Sequence, residues 1–452
     1  MTADKIKLAF VVNDVATEQD NYSTIRFARR AVARGHQVAL IGLGDFIYDW
    51  EEGICAMATL SKISEFEDDT DYLAHLQNTG MDRTRIALSD WDILMLRSDP
   101  AEELVARSWA PSSSLLFAQL ASLQRTIVLN DPRHLTDAVN KTYFQGFPAS
   151  VRPETMITRE PKEVRRFLDA HGGKGVIKPL QGSGGQGVFL LDKKNRQNLN
   201  QITEAVIRDG YAIVQEYLPA AADGDLRIIT LNGRPLKVDD TYASLRRFSQ
   251  TEDHRSNISA GGGYEMMAPD ENALAIAEIV GPKLIDDGMY LTGLDIVGDK
   301  MIELNVDTPG GISFMEDLSG VNFSGAIIDD LERKIRLQRQ YDGTLTNRIL
   351  VEASAVPHRL ANAFIKCQND NLSGNNCFTK FCHFEYYSEP SKCPSDRAQP
   401  RQHAVPLSKF PPDAMRLRVL GRRKHRRHSG LQAQHAFQRR DRLHEISDCR
   451  LA

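Results

Sequence analysis

Three features of the sequence predict an α/β protein. An apolar run, an amphipathic stretch and a second apolar run share the first 43 residues. Near the middle of the chain a glycine-rich segment lies between two strand-like runs. Further on, GLDIVGDKMIELNVDTPGG carries carboxylates and an amide on two strand-like segments joined by Gly-Asp. Strand and helix periodicities that alternate in this way are the pattern of helices packed on a sheet. With 452 residues and 41% hydrophobic content, the chain is long enough for two or three domains with ordinary cores.

Taken in chain order, KLAFVVN reads as a buried strand, YSTIRFARRAVARG as an amphipathic helix stopped by Gly35, and HQVALIGL as the next strand. Together they form a βαβ unit. DILMLRSDP and TIVLNDP are further strands that end in polar residues. Ligands bind beyond the carboxyl ends of strands in an open parallel sheet, so Asn13, Asp14, Arg97, Asp99 and Asn130 are expected around one cleft. Each one alone is also what an ordinary polar strand end looks like. From about Asp131 the pattern changes. HLTDAVNKTYFQGF is helical, PETMIT is a short strand, and PKEVRRFLDAHGG is a helix with an early acidic residue and a glycine stop.

Strands over Gly175–Lys178 and Val188–Leu191 then enclose the glycine loop, followed by a helix near Asn200–Asp209 and the strand YAIVQEYLP. In GDLRIITLNGRPLKVDDTYAS two strands turn through Asn232-Gly233. The polar stretch RRFSQTEDHRSNISAGGG lacks hydrophobic periodicity and is expected to be a lid-like loop. A helix over Glu271–Asp286, the carboxylate-bearing strand pair and a helical stretch to about Gln340 close the body.

The glycine loop narrows the chemistry. Glycines let backbone N–H groups crowd a phosphate, and here the loop leads into a strand rather than a helix. A Walker A loop needs Lys-Ser or Lys-Thr after its last glycine, and a dinucleotide fingerprint opens a helix. Neither condition is met, which leaves a β-hairpin lid over a nucleoside triphosphate, with Lys178 and Lys141 placed to add charge. Asp295 lies on one strand of the later pair, Glu303 and Asn305 on the next. Residues two apart share a face, so the two carboxylates and the amide make an oxygen-only site suited to Mg²⁺. A solvated sheet face would show the same spacing. Arg227, Arg255 and Asn257 flank the polar stretch and are candidates to hold charge that develops on a transferred phosphoryl or acyl-phosphate oxygen.

Charge and cysteine usage exclude several classes. The formal charge of −4 gives no overall footprint for nucleic acid or a membrane surface, no signal-type apolar region opens the chain, and nowhere do 18 apolar residues run together. A cytoplasmic protein is expected. Only Cys55 precedes position 360, so the body has neither a disulfide framework nor a metal-type cysteine pair. From about Lys366 basic residues exceed acidic ones by nine, and five of the six cysteines appear without short paired spacing. GRRKHRRHSG is a basic run with no aromatics to stack bases, and the segment reads as a disordered tail or a spurious extension.

The order of the blocks NKTYF, IKPLQGSGGQGVF, VQEYLPAAADGDLRI, HRSNISAGGG and GLDIVGDKMIELNVDTP resembles the successive signatures of bacterial glutathione synthetases in the ATP-grasp superfamily. LRSDP and the early βαβ unit are similar to that family's N-terminal domain, so the likeness covers about residues 5–340. It implies an ATP-grasp fold after a Rossmann-like N-terminal domain. Residues 1–130 would form the substrate domain, 131–345 the ATP-grasp domain and 346–452 a tail.

By the same resemblance, Lys141, Lys178, Gly182, Ser183, Gly184, Gly185 and Gly187 hold ATP phosphates. The hinge Gln215, Glu216, Tyr217 and Leu218 takes the adenine, and Asp225 lies near the ribose or the metal. Asp295, Glu303 and Asn305 carry one or two Mg²⁺ ions, with Mn²⁺ as a substitute. Arg227, Arg255 and Asn257 act on the acyl phosphate, while Arg97, Gly261, Gly262, Thr308, Pro309 and Gly310 bind substrate. The implied reaction joins γ-glutamylcysteine to glycine through an acyl phosphate, with ATP as co-substrate, in a homo-oligomer. No membrane or nucleic-acid partner is implied.

The chain departs from the family in two places. GGISFMEDLSG after NVDTP contains no Lys or Arg, and the region from Thr241 to Gln250 is unusually basic. A ligase joining a different acid and amine, or an ATP-binding regulatory protein without turnover, are the alternative readings.

Overall fold

A computed structural model describes residues 5–78, 83–103, 106–138, 141–182, 185–192, 198–208, 210–249 and 262–355. The N-terminal part contains β1 (Lys7–Val12), α1 (Ser23–Ala33), β2 (Gln37–Gly42), β3 (Phe46–Asp49), β4 (Gly53–Leu60), α2 (Asp69–Leu76), β5 (Thr84–Ala87), β6 (Ile93–Leu96), α3 (Ala110–Ser122) and β7 (Ile127–Leu129). Its sheet runs β3-β4-β2-β1-β6-β7, with β5 on β4. The expected parallel sheet is therefore only partly right. β2, β1, β6 and β7 are parallel, whereas β3, β4 and β5 add an antiparallel flank. On the apolar strand β1, Leu8 to Val12 are fully buried, as expected for a strand covered on both faces.

After α4 (Pro132–Ala138) and a short 3₁₀ turn at Lys141–Gly146 come β8 (Thr155–Thr158), α5 (Pro161–Ala170), β9 (Gly175–Pro179), β10 (Phe189–Leu191), α6 (Leu199–Ile207) and β11 (Ala212–Glu216). These strands make an antiparallel sheet in the order β10-β9-β11-β8, and β9 and β10 are the arms of the expected glycine hairpin. This unit has its own apolar core, built from Val164, Phe167, Ile177, Leu191, Leu199 and Val214.

The last part contains β12 (Asp225–Leu231), β13 (Arg234–Pro235), β14 (Lys237–Val238), β15 (Thr241–Tyr242), β16 (Ser244–Phe248), β17 (Gly263–Met266), α7 (Glu271–Asp286), β18 (Leu291–Val297), β19 (Lys300–Asn305), α8 (Ile312–Ser319), α9 (Phe323–Gln340) and α10 (Asn347–Ala355). Its main sheet is β17-β16-β12-β18-β19, all antiparallel, with β13 on β12. Asn232 and Gly233 turn β12 into β13 with φ of 54° and 71°, the positive values a two-residue type I′ hairpin requires. Two larger apolar cores mix side chains from both sides of residue 130. In one, Ile25 and Phe27 of α1 pack with Ile327 and Leu331 of α9.

Three expectations are corrected. The polar stretch from Arg246 is not all loop, because Arg246–Phe248 belong to β16 and pair with β17, where Arg247 finds acidic partners that offset its burial. The body does not end at residue 345, since Leu350 and Val351 of α10 are buried and the Leu350 carbonyl accepts from Lys334 Nζ at 2.9 Å. Residues 356–452, which make up most of the expected tail, lie outside the described residues. Among the described residues no helix is long and apolar enough to cross a membrane.

Asn130 is the third correction. Rather than facing the cleft, its side chain is buried between the two large sheets. Its Nδ2 donates to the carbonyls of Leu291 (3.0 Å) and Val306 (2.5 Å), and its Oδ1 accepts from the backbone N–H of Tyr290 (2.7 Å) and Leu291 (2.9 Å). Asn130→Ala would leave these buried groups unpaired, at a cost of about 3 kcal/mol or more. We expect its urea midpoint to fall accordingly; a midpoint equal to that of the unmodified chain would show that the bridge is dispensable.

Candidate active site

A cavity of about 1960 Å³ lies among the three sheets. The glycine hairpin enters through Gly182 and Gly187. Gly187 has a φ of 69° and lies against Pro179, so a side chain there would be both strained and crowded. Lys141 and Lys178 line the same wall. Lys178 extends from β9 to within 3.4 Å of the Ile302 carbonyl on β19, and Lys141 forms a 2.9 Å ion pair with Glu303. Burial, with Lys141 nearby, brings the Lys178 ammonium down to about 8, although Glu303 and Asp295 oppose the shift. Burial alone would raise the Glu303 carboxyl, but Lys141 and Lys178 hold it below its ordinary value.

The floor is set by strand register. Arg227 of β12 lies opposite Asp295 of β18, which lies opposite Glu303 of β19, so the three share one face. Asp225, two residues before Arg227, lies opposite Arg247 of β16. The Arg227 guanidinium donates to both Asp295 oxygens at 2.7 Å, and Arg247 reaches Asp295 at 2.8 Å while also pairing with Asp225. The result is a chain of alternating charge across three strands, with Asp295 fully buried and Arg247 only 6% exposed. Burial would raise the Asp295 carboxyl, but Arg227 and then Arg247 outweigh it and keep the group well below the usual carboxylate range. At Gly224 a Cβ would collide with the Arg247 carbonyl, so the glycine before Asp225 is what lets β12 and β16 approach closely enough for this pairing.

The other wall comes from the N-terminal part. Arg97, 4% exposed, donates to Thr24 Oγ1 (3.1 Å) and to the Pro309 carbonyl (3.0 Å), which ties the end of β6 to the loop after β19. Burial lowers Arg97 to about 10 against the pull of Glu18 and Asp307. Burial and then Asp99 push the Asp307 carboxyl up to about 8, with Arg97 opposing. Burial raises Glu18 to about 7, eased by Arg97 and reinforced by Glu102.

The sequence-predicted residues divide accordingly. Lys141, Lys178, Gly182, Gly187 and Gln215 line the cavity, as do Arg97, Arg227, Glu303, Asn305, Thr308 and Gly310. Others lie off its surface. Glu216 Oε1 accepts from the Glu154 N–H at 2.8 Å, the Tyr217 ring lies 3.4 Å beneath Lys174 Nζ, and Leu218 leads into a short 3₁₀ turn. Gly185 belongs to the hairpin turn and Gly262 immediately precedes β17. Pro309 packs against Gly293, and Asp225 is held by Arg247. Asn13 does not point a free amide into the cleft; it bonds the Asp99 carbonyl (2.9 Å) and Glu103 (3.0 Å), while Asp14 caps a 3₁₀ turn. Ser183, Gly184, Arg255, Asn257 and Gly261 lie outside the described residues. Sequence reasoning missed Arg247, signalled only by the basic character of its segment. It also missed Glu18 and Asp307.

The donor set for a divalent cation fits in part. The Glu303 carboxylate and the Asn305 amide present hard oxygens to the cavity, as Mg²⁺ prefers. Asp295 is differently placed: its oxygens are engaged by two guanidiniums, and Asn305 Nδ2 lies 3.2 Å from it. Among the described residues no cluster of three or more His, Cys, Asp or Glu forms a cage, so phosphate oxygens would have to complete the coordination.

With the geometry established, the comparisons are specific. Residues 140–320 match the prokaryotic glutathione synthetase ATP-grasp domain, and residues 6–136 match the corresponding N-terminal domain. Fold and site thus define an ATP-grasp enzyme, a carbon–nitrogen ligase that consumes ATP. The chain is 32% identical over 328 residues to the glutathione synthetase of Gloeobacter violaceus, covering 72% of this chain and 96% of that protein. It is 28% identical over 341 residues to the glutathione synthetase of Escherichia coli, covering 74% and 100%. The chain belongs to the prokaryotic glutathione synthetase family. A crystal structure of a D-cycloserine synthetase aligns with 72% of this chain and 99% of its own, at 15% identity and a TM-score of 0.49.

The depressed Lys178 ammonium has a measurable consequence. A triphosphate brought against it favours the charged form, so nucleotide binding should raise its pKa and take up a proton between the two values. Uptake should be near zero well below pH 8 and approach one proton per nucleotide at about pH 9. Calorimetry of a non-hydrolysable ATP analogue in buffers of different ionisation enthalpy measures it, and Lys178→Arg, charged throughout, should abolish it. Equal uptake in the variant would assign the proton to another group.

Proposed function

We propose that this enzyme joins the cysteinyl carboxylate of γ-glutamylcysteine to the amine of glycine, forming glutathione, ADP and phosphate. What supports the reading above all is one cavity that runs from Lys141, Lys178, Glu303 and Asn305, suited to a triphosphate, past Arg227 and Arg247 to Arg97. In this reading residues 1–130 supply the wall for the acid substrate and residues 131–345 hold the nucleotide. The acid's carboxylate oxygen attacks the γ-phosphorus, and ADP leaves with the electron pair of the broken P–O bond. The amine nitrogen then attacks the acyl carbon, phosphate leaves with the C–O electron pair, and the nitrogen gives up a proton.

Lys141 and Lys178 neutralise the phosphates, while Arg227 and Arg247, held in place by Asp225 and Asp295, face the oxygens on which charge builds. Such preorganised charge is usually the largest catalytic contribution. Glu303 and Asn305 would hold a divalent cation, Mg²⁺ in this reading, which when bound supplies charge neutralisation between phosphate groups. A ligase acting on a different acid is the second reading. It is favoured by Asp307 in the cavity wall and by the absence of Lys and Arg from residues 308 to 322.

Phosphate release from ATP in the presence of Mg²⁺ tests both. Dependence on γ-glutamylcysteine and glycine together is expected, and release unaffected by omitting either one would favour the second reading. Glu303→Gln should lower kcat about 100-fold or more and weaken the response to divalent cation. A variant with undiminished kcat would remove Glu303 from the chemistry.

A further inference from the structure

Lys141 stands on a short support. It opens the 3₁₀ turn Lys141–Gly146, and its backbone N–H reaches the Leu180 carbonyl only at 3.3 Å, a long bond for the residue whose ammonium pairs with Glu303. The hydrogen-bond geometry of 3₁₀ helix is poor, so a run of this length depends on contacts from outside. Here those contacts come from α7. The Tyr143 hydroxyl donates to Asp287 Oδ2, and Lys283 Nζ donates to the same oxygen at 2.7 Å. The Lys283 ammonium also lies 4.9 Å from the Tyr143 ring and 5.7 Å from that of Phe147, and the two rings meet edge to face at 5.6 Å. Asp287 is the C-terminal cap of α7 and is 6% exposed, with His134 Nε2 3.9 Å from its other oxygen. Burial and then Asp287 push the Tyr143 hydroxyl above its ordinary value, so it stays a neutral donor at physiological pH.

The far end of this bond gives it a function. α7 runs into β18, which carries Asp295 and pairs with β19, the strand of Glu303. The Tyr143–Asp287 bond thus ties the turn beneath Lys141 to the strand pair that Lys141 faces. From this juxtaposition we infer that Tyr143, acting through Asp287, is a positioning residue for nucleotide binding: it fixes the backbone under Lys141 so that the ammonium is already in place for the triphosphate. The inference rests on the phosphate role proposed for Lys141 above. With about three residues per turn, side chains two apart leave a 3₁₀ turn in different directions, so Lys141 can face Glu303 while Tyr143 reaches α7. A lysine on an unsecured turn must give up more conformational freedom on meeting a phosphate than one whose backbone is already held, and the difference is lost affinity. Tyr143 also borders the cavity, but its hydroxyl is committed to Asp287, so the hydroxyl can be removed without taking a group from the nucleotide.

A double-mutant cycle on the full chain tests this, with Mg²⁺ and a non-hydrolysable ATP analogue titrated calorimetrically in the absence of acid and amine. Lys141→Met should weaken binding about tenfold or more. Tyr143→Phe keeps the ring against Phe147 and Lys283; it should weaken binding about fivefold in the unmodified chain, yet less than about twofold in the Lys141→Met background. Asp287→Asn, which approaches the same bond from α7, should give the same pattern. A purely structural tether would lower the melting temperature and weaken binding by the same factor in both backgrounds, and that additivity would overturn the inference, as would a Tyr143→Phe variant with unchanged affinity. Lys141→Met binding as tightly as the unmodified chain would reject the phosphate role of Lys141 and the inference with it, whereas a strong Lys141 effect with an additive Tyr143 effect rejects the inference alone. Neither result depends on which acid and amine are joined, which phosphate release scores separately.

Discussion

The alternating charges of Asp225, Arg247, Asp295 and Arg227 are the constraint on which the active centre rests. Asp295 is fully buried, and isolated it would be far too costly to keep ionised; two guanidiniums hold it so. Breaking one member of such a buried set leaves an uncompensated charge and costs about 3–5 kcal/mol, although the intact set contributes little net stability. Its value is therefore positional. The four residues come from three strands, with Asp225 and Arg227 both on β12, so the pairing fixes β12, β16 and β18 in register, and β19 follows with Glu303 and Asn305 beside them. Arg227 and Arg247, which hold these strands in register, also line the cavity. In the proposed reaction, structure and chemistry would draw on the same charges.

The second constraint is the seam between the N-terminal sheet and the nucleotide-binding part. Asn130 and Arg97 sit at the ends of adjacent strands and both bond backbone groups that flank β18 and β19. The N-terminal wall of the cavity is thereby fixed relative to Glu303 and Asn305. In the proposed reaction, which uses no covalent enzyme intermediate, holding the reactants in place in this way would supply much of the rate.

How much of this was legible in the sequence depends on how local the information is. The glycine hairpin and the strand pair bearing Asp295, Glu303 and Asn305 announce themselves through period-two alternation and turn residues, and both lie where expected. Gly35, Asn232 and Gly233 mark their turns for the same reason. Arg247 was illegible because its acidic partners lie on two other strands, and a basic pair in a polar segment reads as solvent-exposed until those strands are assembled. Asn130 could be seen as a polar strand end, but not as a bridge to residues 160 positions away. Nothing around Glu18 marks it as buried; its neighbours in TEQDNYS are polar, and the wall that covers it is built from Arg97 and distant loops. The antiparallel flank of β3, β4 and β5 was missed because its connections lack two-residue hairpin signals.

Helix α10 has a practical consequence. Lys334 is fully enclosed, and its ammonium is satisfied by Asp330, by Asn232 and by the Leu350 carbonyl, while Leu350 and Val351 seal the space above it. Truncating the chain at the point where family likeness fades, near residue 340, would strip that seal and leave a lysine facing an opened apolar surface. A shortened version meant for crystallisation or assay should therefore retain everything through Ala355.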